Sequence, residues 1–168
     1  MSAGAAELGA IYDDAIRPAL RLLPAPMMSR EALVMLFAIG LQESRMEWRR
    51  QHGNGPARGL LQFEQGGGVH GVMTHPASRT HAYTVLGALG HTDITEHAVW
   101  AALETDDVLA FAFGRLLLWT DPYPLPKMDD PWRAWDAYLR IWRPGKPHHD
   151  TWMPFHAEAV MTVMELFS

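Results

Sequence analysis

Glu43 stands where a carboxylate is least expected. Leu33, Leu36, Gly40 and Glu43 follow one another at helical steps, so the stripe that buries leucine also carries an acid. Partial burial disfavours the charged form, and the last turn of a helix presents the negative end of its macrodipole; both raise the pKa. A carboxyl that keeps its proton near neutral pH is what general-acid cleavage of a glycosidic bond requires, because the leaving oxygen takes a proton as the bond breaks. Position on the helix alone leaves a second reading open, in which Glu43 sits at the edge of the stripe, reaches solvent and pairs with Arg45, Arg49 or Arg50.

Other side chains are weighed against that acid. A glycosidase that uses two carboxylates sets the second across from the first; Glu64, Asp106, Asp107 and Asp121 are the candidates, and none carries a signature. Of the neighbours Gln62 and Glu64, Gln62 is expected to face the cleft. Gly66-Gly67-Gly68 is not a phosphate cradle, since no lysine follows at the required spacing, and it reads as a flexible loop bordering the cleft. The nine histidines form no His-Glu-x-x-His pair, so no metal site and no cofactor is expected. Trp132, Trp135 and Trp142 recur at helical spacing and read as core, whereas Trp119 and Tyr123, at the Asp121 to Pro126 connection, are better placed to meet a ligand.

The elements that position these residues are mainly α. Leu8, Ile11, Tyr12, Ala15, Ala19 and Leu22 make one buried stripe over Glu7 to Leu23, with a kink or early break at Pro18. Ser29 is an N-cap for a helix from about Arg30 to about Arg45. From Gln51 to Gly71 glycines break any helix, and Leu60 to Phe63 form a short extended piece in a loop-rich or small β region. A helix follows His75-Pro76 through Leu89. Thr92 or Thr95 caps His97 to Leu103, and Thr105 or Asp106 caps Asp107 to Trp119. Asp130-Pro131 starts a helix whose stripe is Trp132, Trp135, Tyr138, Leu139 and Trp142. A closing helix from about Pro154 to Phe167 turns Phe155, Ala159, Val163, Met164 and Phe167 inward. No repeat or linker divides residues 1–168, so one domain is expected.

The run Gln42-Glu43-Ser44-Arg45, followed by Gly53-Asn54-Gly55-Pro56-Ala57-Arg58 and Gly59-Leu60-Leu61-Gln62-Phe63, resembles the soluble lytic transglycosylase and goose-type lysozyme superfamily. There a Glu-Ser pair ends a helix and a Gly-Leu-Met-Gln-like segment follows; here Gln62 lies 19 positions after Glu43. The resemblance implies a lysozyme-like helical domain with a small irregular glycine-rich or β insertion after the catalytic helix. It implies cleavage of the MurNAc-GlcNAc bond of peptidoglycan glycan strands, by hydrolysis or by anhydro-product formation. Glu43 would be the catalytic acid, Ser44 would help to place the substrate or the Glu, and Gln62, with Phe63, would line the glycan cleft. The likeness spans Leu33 to Phe63. The family's Ala-Tyr-Asn-like element has no counterpart: Ala110-Phe111-Ala112-Phe113-Gly114 lacks both tyrosine and asparagine. That departure motivates the alternative of a non-catalytic glycan-binding or virion-associated protein. Chitin is a further possible substrate.

A net charge of −5 leaves no broad basic footprint for nucleic acid and no general attraction to an anionic wall, so wall binding requires a local cleft. Without cysteine, the fold is held by packing. Met1 to Ala10 lacks the basic start and apolar stretch of a secretory signal, and no run approaches the ~20 apolar residues that span a bilayer. The expectation is a product of the cytoplasm, not inserted in a membrane, that acts at the cell wall after lysis or as part of a phage particle. Oligomeric state is not legible.

Overall fold

The computed structural model describes residues 4–168, so the expectation drawn from Met1 to Ala10 falls partly outside the described residues. The chain is mainly helical. In chain order the helices are α1 (Ala5–Ile11), α2 (Arg17–Arg21), α3 (Arg30–Ser44), α4 (His70–Thr74), α5 (Arg79–Ala88), α6 (Glu96–Ala102), α7 (Asp107–Trp119), α8 (Pro131–Trp142) and α9 (His149–Leu166). Among the described residues no helix is long and apolar enough to cross a membrane.

Four helix starts follow from side-chain chemistry. Ser29 Oγ accepts from Ala32 N–H at 3.1 Å, Thr95 Oγ1 from Ala98 N–H at 3.2 Å, Asp106 Oδ1 from Leu109 N–H at 2.9 Å and Asp130 Oδ1 from Arg133 N–H at 3.0 Å. Pro18 does not end its helix. A π turn over Tyr12–Ile16, in which Arg17 N–H reaches the Tyr12 carbonyl, carries the chain from α1 into α2.

Two helices form the centre. Every residue from Ala32 to Leu41 in α3 is buried, as is every residue from Leu109 to Leu118 in α7. The single apolar stripes expected for these helices are therefore too narrow. Helices apolar on all sides are surrounded by others, and here α9 covers α3 while α2, α4 and α5 lie against α7. α9 begins at His149 rather than near Pro154, which lies within it and only forgoes one bond to a carbonyl in the first turn. That earlier start buries Trp152, whereas Met164 and Phe167, expected inside, are exposed. In α8 Trp135 and Tyr138 are core, but Trp132 is 60% exposed and stacks on His149 with centroids 4.8 Å apart.

The glycine-rich insertion differs most from expectation. Residues 60–62 form a turn, not an extended piece, and Gln62 takes a positive φ of 52°. The described β pairing is confined to two isolated bridges, Arg50 with Arg58 and Arg58 with Phe63. The glycines expected in a flexible loop instead form a π turn, Gln65–Val69, running directly into α4. Close packing selects glycine there: a Cβ on Gly68 would stand 2.5 Å from Cδ1 of buried Phe63.

Candidate active site

The last turn of α3 delivers Glu43 to the wall of a groove of about 1200 Å³. Ser29 fixes where α3 begins, and the left-handed backbone of Arg45 and Met46 ends it one residue after Ser44. None of the three neighbouring arginines pairs with Glu43. Its partner comes from α8: the Tyr138 hydroxyl donates to Glu43 Oε1 at 2.6 Å. Tyr138 is itself fixed by stacking on Trp152 of α9, with ring centroids 5.0 Å apart and planes 15° from parallel. Three helices thus set one carboxyl.

Burial is the largest influence on that carboxyl. It raises the pKa from 4.5 to about 7, against the Tyr138 hydrogen bond, which favours the ionised form, while the charge of Glu64 adds a smaller upward push. Burial and the neighbouring Glu43 push the Tyr138 phenol up, so it remains a protonated donor. Among the described residues Oε2 of Glu43 has no hydrogen-bond partner. The arrangement can hold one carboxyl oxygen still and present a proton on the other to a bound molecule.

The residues expected around Glu43 separate into three groups. Gln62 and Tyr123 line the groove, Gln62 with its Nε2 donating to the Gly59 carbonyl at 3.0 Å and Tyr123 64% exposed beneath the Arg140 guanidinium. Phe63 contributes to the same wall but is a core residue, edge-on to Phe113 and Trp142. Ser44 and Trp119 do not line it. Ser44 is 1% exposed and its hydroxyl lies 2.6 Å from the Leu60 carbonyl and 3.1 Å from that of Gly40, so it fastens α3 to the Gln62 turn. Trp119 packs its ring beneath Arg115 of its own helix, away from the groove.

The carboxylates separate in the same way. Asp106 caps α7 and meets His91, and Asp107 pairs with Arg49; neither reaches the groove. Asp121 lines it but is held by Arg140 through contacts of 3.0 and 2.6 Å. Glu64 lines it too and is exposed; because the chain turns at Gln62 rather than running extended, strand alternation does not separate the two, and the expectation that only Gln62 faces the groove is corrected. Among the described residues no three His, Asp or Glu side chains gather as a metal site.

Sequence spacing alone does not mark Tyr138, Trp142 or Gln42 as site residues. Trp142 Nε1 donates to the Leu61 carbonyl at 2.9 Å, tying α8 to the Gln62 turn. Gln42 bridges to the start of α9, donating to the His148 carbonyl and accepting from the Thr151 hydroxyl, both at 3.0 Å. A buried phenol needs a partner, and that was the available signal for Tyr138. The Ala110 to Gly114 segment, which stands in place of the family's Ala-Tyr-Asn-like element, is entirely core. No protein-family model, no curated protein and no solved structure matches this chain.

Proposed function

We propose that this protein is a peptidoglycan-cleaving glycosidase, a lysozyme or lytic transglycosylase acting on the MurNAc-GlcNAc bond, with Glu43 as its general acid. The observation that carries this reading is a single one: a partly buried carboxyl on a groove wall, raised to about 7, with one oxygen held by Tyr138. At neutral pH about half of such groups hold a proton, and a group near the working pH is the most effective donor to a leaving sugar oxygen. The groove holds about 1200 Å³, and Gln62 and Tyr123 on its lining offer an amide and an exposed ring to sugars. The Glu-Ser and Gly-Leu-Leu-Gln segments add the family likeness.

After proton donation the same carboxylate accepts a proton, either from water attacking the sugar or from the sugar's own hydroxyl closing onto it. Of the two other groove carboxylates among the described residues, Asp121 is held by Arg140 whereas Glu64 makes no ion pair, and Glu64 stands as the residue able to steady positive charge on the ring. Mass spectrometry of the soluble products from purified peptidoglycan tests the reading. Reducing-end muropeptides assign a lysozyme and anhydro-muropeptides a lytic transglycosylase. Binding without products assigns the non-catalytic alternative. The proposed place of action is the cell wall, reached after lysis or from a phage particle.

A further inference from the structure

The groove is not uniformly charged. Glu43 and Glu64 belong to it, and two of its arginines are already matched: Arg50 by Glu104 and Arg140 by Asp121. Beyond Trp142 the chain turns through Arg143, at a positive φ of 51°, into Pro144, Gly145 and Lys146, and this segment also lines the groove. Arg143 and Lys146 are exposed, and among the described residues neither makes an ion pair.

This cationic edge is fixed relative to the acid. Gln42, the residue before Glu43, holds the far end of the segment through the His148 carbonyl and the Thr151 hydroxyl, and Trp142 anchors its near end on the Leu61 carbonyl. In a protein of net charge −5, two unmatched cations on one edge of a groove mark where an anionic group is admitted.

We propose that Arg143 and Lys146 grip a carboxylate carried as a side branch on the glycan strand, so that the groove selects an acidic, muramic-acid-containing polymer over a neutral N-acetylglucosamine polymer. This assignment rests on the glycosidase reading and names the substrate feature that reading leaves open. A guanidinium offers a two-pronged fit to a carboxylate and an ammonium a point charge, so the pair tolerates branches of different length. Two carboxylates have this chemistry: the one ending a stem peptide, and the lactyl group freed when the peptide is removed.

The test uses three substrates: peptide-bearing strands, strands stripped of peptide by an amidase, and neutral N-acetylglucosamine oligomers. Binding is read with the full chain carrying Glu43→Gln, which separates it from turnover, and cleavage with the parent. Adding Arg143→Gln and Lys146→Gln together is expected to weaken binding of acidic strands roughly tenfold and to leave neutral oligomers unaffected. In the parent background the change falls on KM rather than kcat. A loss confined to peptide-bearing strands assigns the peptide carboxylate, and one confined to stripped strands assigns the lactyl group.

A salt titration of the unsubstituted chain reads the same dependence without any variant. Equal, salt-insensitive binding of all three substrates overturns the assignment, even if the protein cuts glycan. Charge-dependent binding of acidic strands without any cleavage keeps it and overturns the glycosidase reading instead.

Discussion

Tyr138 and Glu43, far apart in the chain, meet at the groove wall through a 2.6 Å hydrogen bond from the phenol to carboxyl Oε1. The bond favours the ionised carboxylate, burial favours the protonated one, and burial prevails, leaving the group near 7. Glu43 is thus held between two opposed influences, and each can be removed separately.

Replacing Tyr138 with Phe removes the influence that lowers the Glu43 pKa. If Glu43 is the acid, the alkaline limb of kcat/KM is expected at about 7 in the parent and at higher pH in Tyr138→Phe. The maximal rate falls by roughly tenfold, because the carboxyl is no longer held in place. A pH-rate profile on soluble muropeptide oligomers reads both effects; a limb that stays put contradicts the assigned role.

Glu43 also lowers stability as pH rises. The folded state keeps a proton that the unfolded state loses near 4.5, so stability declines from there until the folded group ionises at about 7. The decline is on the order of 3 kcal/mol and is complete above that pH. Glu43→Gln abolishes this slope, so the variant is more stable than the parent at pH 8 and similar to it at pH 4. Matching urea midpoints at pH 8 would contradict the burial of the carboxyl.

How much of this was legible follows the range of each interaction. Ser29, Thr95, Asp106 and Asp130 cap helices with their own side chains, so the residue and the start it specifies lie within one turn of chain. Glu43 was legible because an acid on a leucine stripe is a conflict visible locally. Tyr138 sits on an equally regular stripe, but periodicity does not tell which rings are covered; α9 docks so that Trp152 meets Tyr138 and leaves Trp132 outside. The Gly66 to Gly68 run reads as a loop by propensity alone, and only the fold shows that Gly68 is required to be glycine, because Phe63 lies too close to admit a Cβ there while Gly66 is open.

Ser44 separates a positioning role from a binding one. Its buried hydroxyl meets the Leu60 carbonyl at 2.6 Å, so Ser44→Ala leaves that acceptor short of a partner at a cost of about 1–2 kcal/mol. The expected signature is a lower urea midpoint with KM little changed. A rise in KM without loss of stability would return Ser44 to the substrate.

Gly59 underlies the turn that presents Gln62. Its φ is +76°, a Cβ there would meet the Leu103 carbonyl oxygen at 2.6 Å, and its own carbonyl accepts from both the backbone and the side chain of Gln62. Gly59→Ala combines backbone strain with a clash and is expected to cost about 2–4 kcal/mol. Chemical denaturation measures this directly, and an unchanged midpoint would show that the turn is not held as described.

The most direct test compares release of soluble muropeptides from purified peptidoglycan by the parent and by Glu43→Gln, with folding of both verified by circular dichroism. A neutral amide keeps the shape and can still accept from Tyr138, but it has no proton to give a leaving sugar. Release by the parent and a loss of at least about a thousandfold in the folded variant is the expected result. Equal release by both proteins would remove Glu43 from the chemistry, and no release by either would remove the glycosidase activity itself.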